Sequence, residues 1–382
     1  MAITARALNR STLARQLLLG RESLDVVEAV RRVVALQAQH PASPYLALWN
    51  RISGFDPAGL DAAVDGFQAV RSTLMRITLH MVHAEDYRAF REAVEPTLRA
   101  SRLGSRFTAS GLTLDDADAL VPDLLKYADR PRTSAEIRGW LDERVGAPRE
   151  PVTWRLLRQY APLWHAPVGG PWSFSTQQSY VAAAGTQPVL TGPDAAAEGL
   201  QTLIRRYLEG FGPASVADMA QFALVQRARV RVAVRALADE LEQLEGPDGT
   251  VMYDIPGASR PAEDTPAPPR LMAMWDSILL AYADRSRVVP PAYRKHVTRV
   301  NGDVLPTLLV DGYVAGVWRP VDGGIEARAF HPLPGHVWQG LAAEAGSLTT
   351  LLADRDPRVY SRYGHWWTKG LPAAETRLLP GL

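Results

Sequence analysis

Three times along this chain a pair of helices is followed by two short strands and a turn, and a recurring unit constrains the fold more than any single copy. In the first copy, residues 6–19 read as a helix, and Leu24, Val27, Val30 and Val34 keep the spacing of a second, amphipathic one. Pro41 pushes His40 out of the helical region, so this helix is expected to end near Gln37, leaving residues 37–40 as a transition. Ser43-Pro44 restarts a helix with a cap and a proline in the first turn, and β character follows at 67–73 and 76–82. The second copy opens on the capping box Thr133-Ser134-Ala135-Glu136, continues through a helix over 151–160, and pairs strands 163–168 and 172–175 across Gly169-Gly170. The third runs from a helix over 194–208 through the Ser215 to Asp218 cap and a helix over 227–237. It closes on strands 241–244 and 250–253 around Gly246-Pro247-Asp248-Gly249.

Three copies predict an α+β chain of tandem winged-helix modules over residues 1–100, 110–180 and 195–256. Residues 255–269, rich in proline, alanine and acidic groups, read as a loop or linker. Residues 270–382 read as a mixed α/β region, with strands 305–310 and 314–318 bracketing the hairpin signal Asp311-Gly312. A length of 382 residues exceeds what one core usually supports, which agrees with several modules.

The absence of cysteine excludes disulfides, thiolate zinc sites, iron–sulfur clusters and a cysteine nucleophile. Arg6, Arg10 and Arg15 interrupt the apolar residues at the start, as no signal peptide would, and no run of about 18 uncharged apolar residues predicts a membrane span. A soluble, cytoplasmic protein is expected. The net charge of +1 is uninformative, but Arg285, Arg287, Arg294, Lys295 and Arg299 give +5 over fifteen residues without an acidic group. A second basic set, Arg358, Arg362 and Lys369, lies among Tyr360, Tyr363, Trp366 and Trp367, alternating charge with surfaces on which bases stack; aromatic residues at such spacing also build cores.

Gln37-Ala38-Gln39 is the candidate for chemistry. Within a helix, residues two apart point nearly oppositely; at an extended helix end they share a side, so both amides can face one cavity while Ala38 packs away. The same pair also fits two solvated polar residues at a helix terminus. His80 and His83, three apart, have a metal-ligand spacing only on a helix, and they fall in a predicted strand and its exit. No Gly-rich phosphate loop, Ser-His-Asp order or paired carboxylates stand out, so neither cofactor nor metal is expected.

The stretches LQAQHPASPYLALWNR (36–51), RLMAMWDSILLAYADRSRV (270–288) and LLVDGYVAGVW (308–318) resemble the winged-helix DNA glycosylases of the AlkZ type. The resemblance implies a C-shaped array of winged helices around a DNA channel and hydrolysis of the N-glycosidic bond of N7-alkylated purines. In some members it extends to unhooking interstrand crosslinks. It also implies double-stranded DNA as partner, a monomer, and a catalytic motif at Gln37, Ala38 and Gln39. The family's other form carries aspartate at the last position; Gln39 cannot act as a base at neutral pH, so the chemistry must lean on a base that is already cationic. The five basic residues from Arg285 to Arg299, with Arg358, Arg362 and Lys369, are the expected phosphate contacts. A transcriptional regulator in which the glutamines are incidental, and a damage binder without catalysis, remain the alternatives.

Overall fold

The computed structural model describes residues 2–100, 104–185 and 191–380. Three times the chain runs helix, short strand, helix, helix, hairpin. The first run is Val26–Arg32, Leu36–Gln37, Ala42–Trp49, Pro57–Asp65, then Ala69–Thr73 with Leu79–His83. The second is Leu114–Tyr127, Arg132–Thr133, Ser134–Val145, Glu150–Tyr160, then Leu163–Ala166 with Ser179–Ala182. The third is Pro193–Phe211, a single bridge residue Ala214, Val216–Ala223, Arg227–Ala236, then Glu242–Glu245 with Val251–Asp254. In each run the short first strand pairs with the second arm of the hairpin: Gln37 with His80, Thr133 with Ser179, Ala214 with Tyr253. The expected capping box at Thr133 and the expected cap at Ser215 both form: each accepts from the backbone three residues on, and Glu136 and Asp218 reach back, which makes the second a capping box as well.

The first two hairpins join through the pairing of Arg71 with His165, giving one six-stranded antiparallel sheet. The hydroxyl of Ser72 reinforces this seam by donating to the Leu163 carbonyl at 2.8 Å. Behind it, helix Ala84–Arg99 lies against helix Pro193–Phe211. A Cβ at Gly199 would stand 2.6 Å from the carbonyl oxygen of Ala89, so glycine is what lets the two backbones approach.

The C-terminal part is a five-stranded antiparallel sheet in the order Glu375–Pro380, Gly324–Ala329, Tyr313–Val321, Thr307–Val310, Arg270–Leu271, with helix Gly335–Ala353 packed on it. Asp311 (φ 49°) and Gly312 (φ 82°) make the expected tight turn. The cores do not follow the predicted module boundaries. Helix Ala42–Trp49, buried throughout, shares one core with the C-terminal sheet, while Val70, Val82 and Phe90 join a second core with the second and third repeats. The first repeat therefore belongs to both halves. At its junction with the C-terminal part, the fully buried Arg51 makes a two-pronged pair with the buried Asp276 at 2.8 and 2.9 Å, and Asn50 donates to the Leu271 carbonyl at 2.9 Å.

Several expected boundaries differ. The second helix stops at Arg32 rather than near Gln37, because Val34 takes a left-handed conformation (φ 71°) that a β-branched residue enters only when its surroundings force it. The first helix, Ala5–Arg15, ends before the left-handed Leu17. Ser43 lies inside helix Ala42–Trp49 rather than capping it, and its hydroxyl meets that of Tyr360 at 3.0 Å. In the second hairpin, Gly169-Gly170 does turn the chain, and Val168 donates to the Ser173 carbonyl, but this is a loop within the wing; the paired strand is Ser179–Ala182, not 172–175. Residues 255–269 have no regular structure and run along the first helix, whose Arg10 and Arg15 donate to the carbonyls of Thr265 and Ser259. Among the described residues no helix is long and apolar enough to cross a membrane.

Candidate active site

Gln37 lies in a two-residue strand at one edge of the six-stranded sheet, and the chain continues extended through Ala38. The N–H of Ala38 donates to the Leu79 carbonyl at 2.7 Å, and its carbonyl accepts from Nε and Nη2 of the buried Arg71 at 3.1 and 2.9 Å. Ser277, in the C-terminal part, donates to the carbonyl of Ala35 just upstream. The strand is thus pinned on both sides. Gln37 and Ala38 are buried, and Gln39, in a bend just past the strand, is exposed.

Gln37 reaches the turn between the hairpin arms, and Gln39 reaches the first residue of the second arm. Oε1 of the buried Gln37 accepts from Nη2 of Arg76 at 2.8 Å, and Oε1 of the exposed Gln39 accepts from the backbone N–H of Leu79 at 2.7 Å. A guanidinium and an amide N–H only donate, so both amide orientations are fixed by chemistry. Each carbonyl oxygen keeps a second lone pair, and each NH2 group has no protein partner among the described residues. Arg76, left-handed at φ 55°, also donates to the Phe222 carbonyl of the third repeat at 3.2 Å and lies 3.0 Å from Nε2 of His80.

No strong base stands on this strand. Nδ1 of His80 faces the Thr78 carbonyl at 3.1 Å and is its donor, which leaves Nε2 as an acceptor for Arg76. Burial, then the Arg76 charge, holds His80 far below the usual histidine range. Burial lowers Arg76 to about 10, with Arg285 next; no carboxylate is among the groups that shift either residue. His40, next to Gln39, accepts from the Ala42 N–H through Nδ1, so its ring proton sits on Nε2. Its ring meets Tyr360 edge-on at 4.9 Å, and burial followed by the Arg362 charge lowers its pKa to about 4. His83 is turned to another task, its Nδ1 accepting from the Glu85 N–H at the start of helix Ala84–Arg99.

The model of a family of AlkZ-like DNA glycosylases matches residues 30–351. The chain belongs to the AlkZ-like DNA glycosylase family. An interstrand DNA cross-link repair glycosylase of Streptomyces sahachiroi is 26% identical over 343 residues, which span 83% of this chain and 88% of that protein. The solved structure of the Streptomyces sahachiroi DNA glycosylase AlkZ is 21% identical, with a TM-score of 0.78 covering 92% of this chain and 98% of that one. The mixed α/β fold is therefore shared with AlkZ.

The basic residues expected to meet DNA separate in this AlkZ-like chain. Arg294, Lys295, Arg358, Arg362 and Lys369 are exposed, and Arg285 and Arg299 are half-buried; none pairs with a carboxylate among the described residues. Arg285 donates to the Thr298 hydroxyl, while Arg299 and Lys369 both lie over the Trp366 ring, at 4.4 and 5.1 Å. Arg287 is a correction: it is buried over the Tyr282 ring at 4.0 Å and donates to the Pro213 carbonyl at 2.9 Å, so it joins two parts of the protein and offers no charge outward. Tyr360, Tyr363, Trp366 and Trp367 are buried in the first core, the commoner role of aromatic residues at such spacing, and offer no open stacking faces. Sequence reasoning missed Arg76, Arg71 and His80 as partners of the motif. It also missed helix Arg227–Ala236, which sets Arg227, Arg231 and Arg235 exposed at four-residue spacing with no acidic residue between them. That spacing was readable in the sequence.

Proposed function

We propose that this chain is a monofunctional DNA glycosylase that hydrolyses the N-glycosidic bond of cationic N7-alkylated purines in double-stranded DNA. The observation that carries this reading is the pair of amides at Gln37 and Gln39, each fixed by an obligatory donor, on a strand without a strong base. A nucleophilic water must keep a lone pair for the anomeric carbon and give its protons to acceptors. The remaining lone pairs on the two Oε1 atoms suit that task, so the glutamines position water and do not deprotonate it. Such assistance is sufficient where the leaving base already carries positive charge, and it restricts the substrates to such bases.

In the same reading the three repeats are winged-helix modules over 1–100, 110–180 and 195–256 which, with 270–382, form a C-shaped array around DNA. The sheet order, with the first strand against the last, supports the module assignment. Arg285, Arg294, Lys295, Arg299, Arg358, Arg362 and Lys369, joined by Arg227, Arg231 and Arg235, grip phosphates. The name of the Streptomyces relative adds interstrand cross-links, and we extend that substrate class to this chain. It acts as a cytoplasmic monomer in repair or in self-resistance to a DNA-alkylating natural product.

The test is release of 7-methylguanine from duplex DNA, followed by hot-alkali cleavage at the abasic sites. Replacing Gln37 and Gln39 together by alanine lowers the single-turnover rate by about 10²- to 10³-fold, the range for a preorganised contact, while lesion binding persists. Undiminished release by the double variant defeats the assignment, and sequence-specific binding of undamaged DNA without base release makes the chain a regulator.

A further inference from the structure

Arg76 does more than touch Gln37. It sits in the short turn Met75–Ile77 between the hairpin arms, in a left-handed conformation, and three neighbours take its guanidinium. Nη1 donates to the Phe222 carbonyl at 3.2 Å; Nη2, which carries two protons, reaches Gln37 Oε1 at 2.8 Å and His80 Nε2 at 3.0 Å. The guanidinium carbon also stands 5.4 Å from the Phe222 ring centre. His80 is fully buried and is held as a neutral acceptor by its own bond to the Thr78 carbonyl. Every bond in the series Thr78 carbonyl, His80, Arg76, Gln37 has one permitted direction, so the polarity of the series ends by fixing which way the Gln37 amide faces.

We infer that Arg76 is a positioning residue for the glycosylase reaction: with His80 behind it, it selects the orientation of the Gln37 amide in which the carbonyl oxygen faces the hairpin segment that also holds Gln39. A glutamine's terminal torsion is broad and nearly two-fold, so without a donor the amide turns over at little cost and puts NH2 where an acceptor is needed. Phe222 belongs to helix Val216–Ala223, so the third repeat holds the arginine that aims a glutamine of the first. This inference rests on the reading of Gln37 as a positioning group for the attacking water.

The experiment is a double-mutant cycle on single-turnover release of 7-methylguanine, with lesion-DNA affinity and thermal unfolding measured alongside. Arg76→Met keeps the stem and removes the donors; the rate falls about 10- to 100-fold, the scale set by one hydrogen bond to a charged group, while affinity is unchanged. Arg76→Lys, which retains a donor, recovers part of that loss. Adding Arg76→Met to Gln37→Ala costs nothing further, because the orientation of an absent amide is irrelevant. Losses that multiply in the double variant, or equal losses in the folded Met and Lys variants, overturn the inference. So does full activity of Arg76→Met when Gln37→Ala is inactive. Full activity of Gln37→Ala instead defeats the reading of the site on which it rests. Should Arg76→Met fail to fold, the same cycle is run with Arg76→Lys, whose smaller loss must also vanish in the Gln37→Ala background.

Discussion

Asp276→Asn removes one charge from the junction between the first repeat and the C-terminal sheet and leaves the shape nearly unchanged. Arg51 and Asp276 both have side chains with no exposure, and the guanidinium donates through Nη1 and Nη2 to the two carboxylate oxygens. The Arg51 charge then stays buried with, among the described residues, only the Ala47 carbonyl and the Gln16 amide oxygen to accept from it besides the new amide. An uncompensated buried charge costs about 3–5 kcal/mol. Unfolding entropy of about 2.1 cal/mol/K per residue gives roughly 0.8 kcal/mol/K for 382 residues unfolding together, and thus a fall in melting temperature of about 4–6 °C. Calorimetry and urea titration of the purified variant measure both quantities. Replacing both partners, Arg51→Met with Asp276→Leu, restores most of the loss, since an apolar pair leaves no charge stranded. A loss below about 1 kcal/mol for Asp276→Asn, or a double variant as unstable as the single one, refutes the reasoning, which holds that stranded charge and not lost contact sets the cost.

The buried histidines make folding stability fall in acid. The unfolded chain takes up protons near pH 6.5, whereas His40 resists until about pH 4 and His80 and His165 resist through the same range, burial being the largest cause in each. Their contribution is complete above about pH 6.5 and is lost as pH falls below it, His40 alone accounting for on the order of 2 kcal/mol by pH 5; a urea midpoint equal at pH 7.5 and pH 5 contradicts this. Replacing Arg227, Arg231 and Arg235 together by alanine lowers the slope of log affinity against log salt by up to about 2.7, at about 0.9 per phosphate contact. Arg287→Ala lowers the melting temperature and leaves that slope alone; the opposite pattern in either variant reverses the division drawn between surface and buried arginines.

Much of this architecture was legible because caps, prolines and turn glycines act locally. Thr133, Ser215 and Asp311-Gly312 do what their chemistry predicts. What escaped is set by distant contacts. The first strand of each repeat is two residues or one, too short to show any periodicity, and so Leu36–Gln37 was expected as the end of a helix. Counting charge identified Arg287 but could not tell a buried guanidinium from an exposed one. Two of the three stretches that carry the family resemblance, 36–51 and 270–288, meet at the Arg51 to Asp276 pair and through Asn50 and Leu271. Part of their distinctiveness is therefore a joint between halves. For the candidate site, the tripeptide was visible, but its anchors Arg71, Arg76 and Leu79 lie more than thirty residues along the chain.

The strand that carries the glutamines is fastened residue by residue: Ala35 to Ser277, Gln37 opposite His80, Ala38 to Leu79 and Arg71. A single inserted or deleted residue between Val33 and Ala42 cannot be absorbed as a loop bulge there, because a one-step slip exchanges the faces of neighbouring residues and takes Gln37 away from Arg76 and Ala38 away from Leu79 and Arg71. Between Val33 and Ala42 the backbone count is closed by these bonds, so a change of substrate preference there is a change of side chains around a fixed backbone.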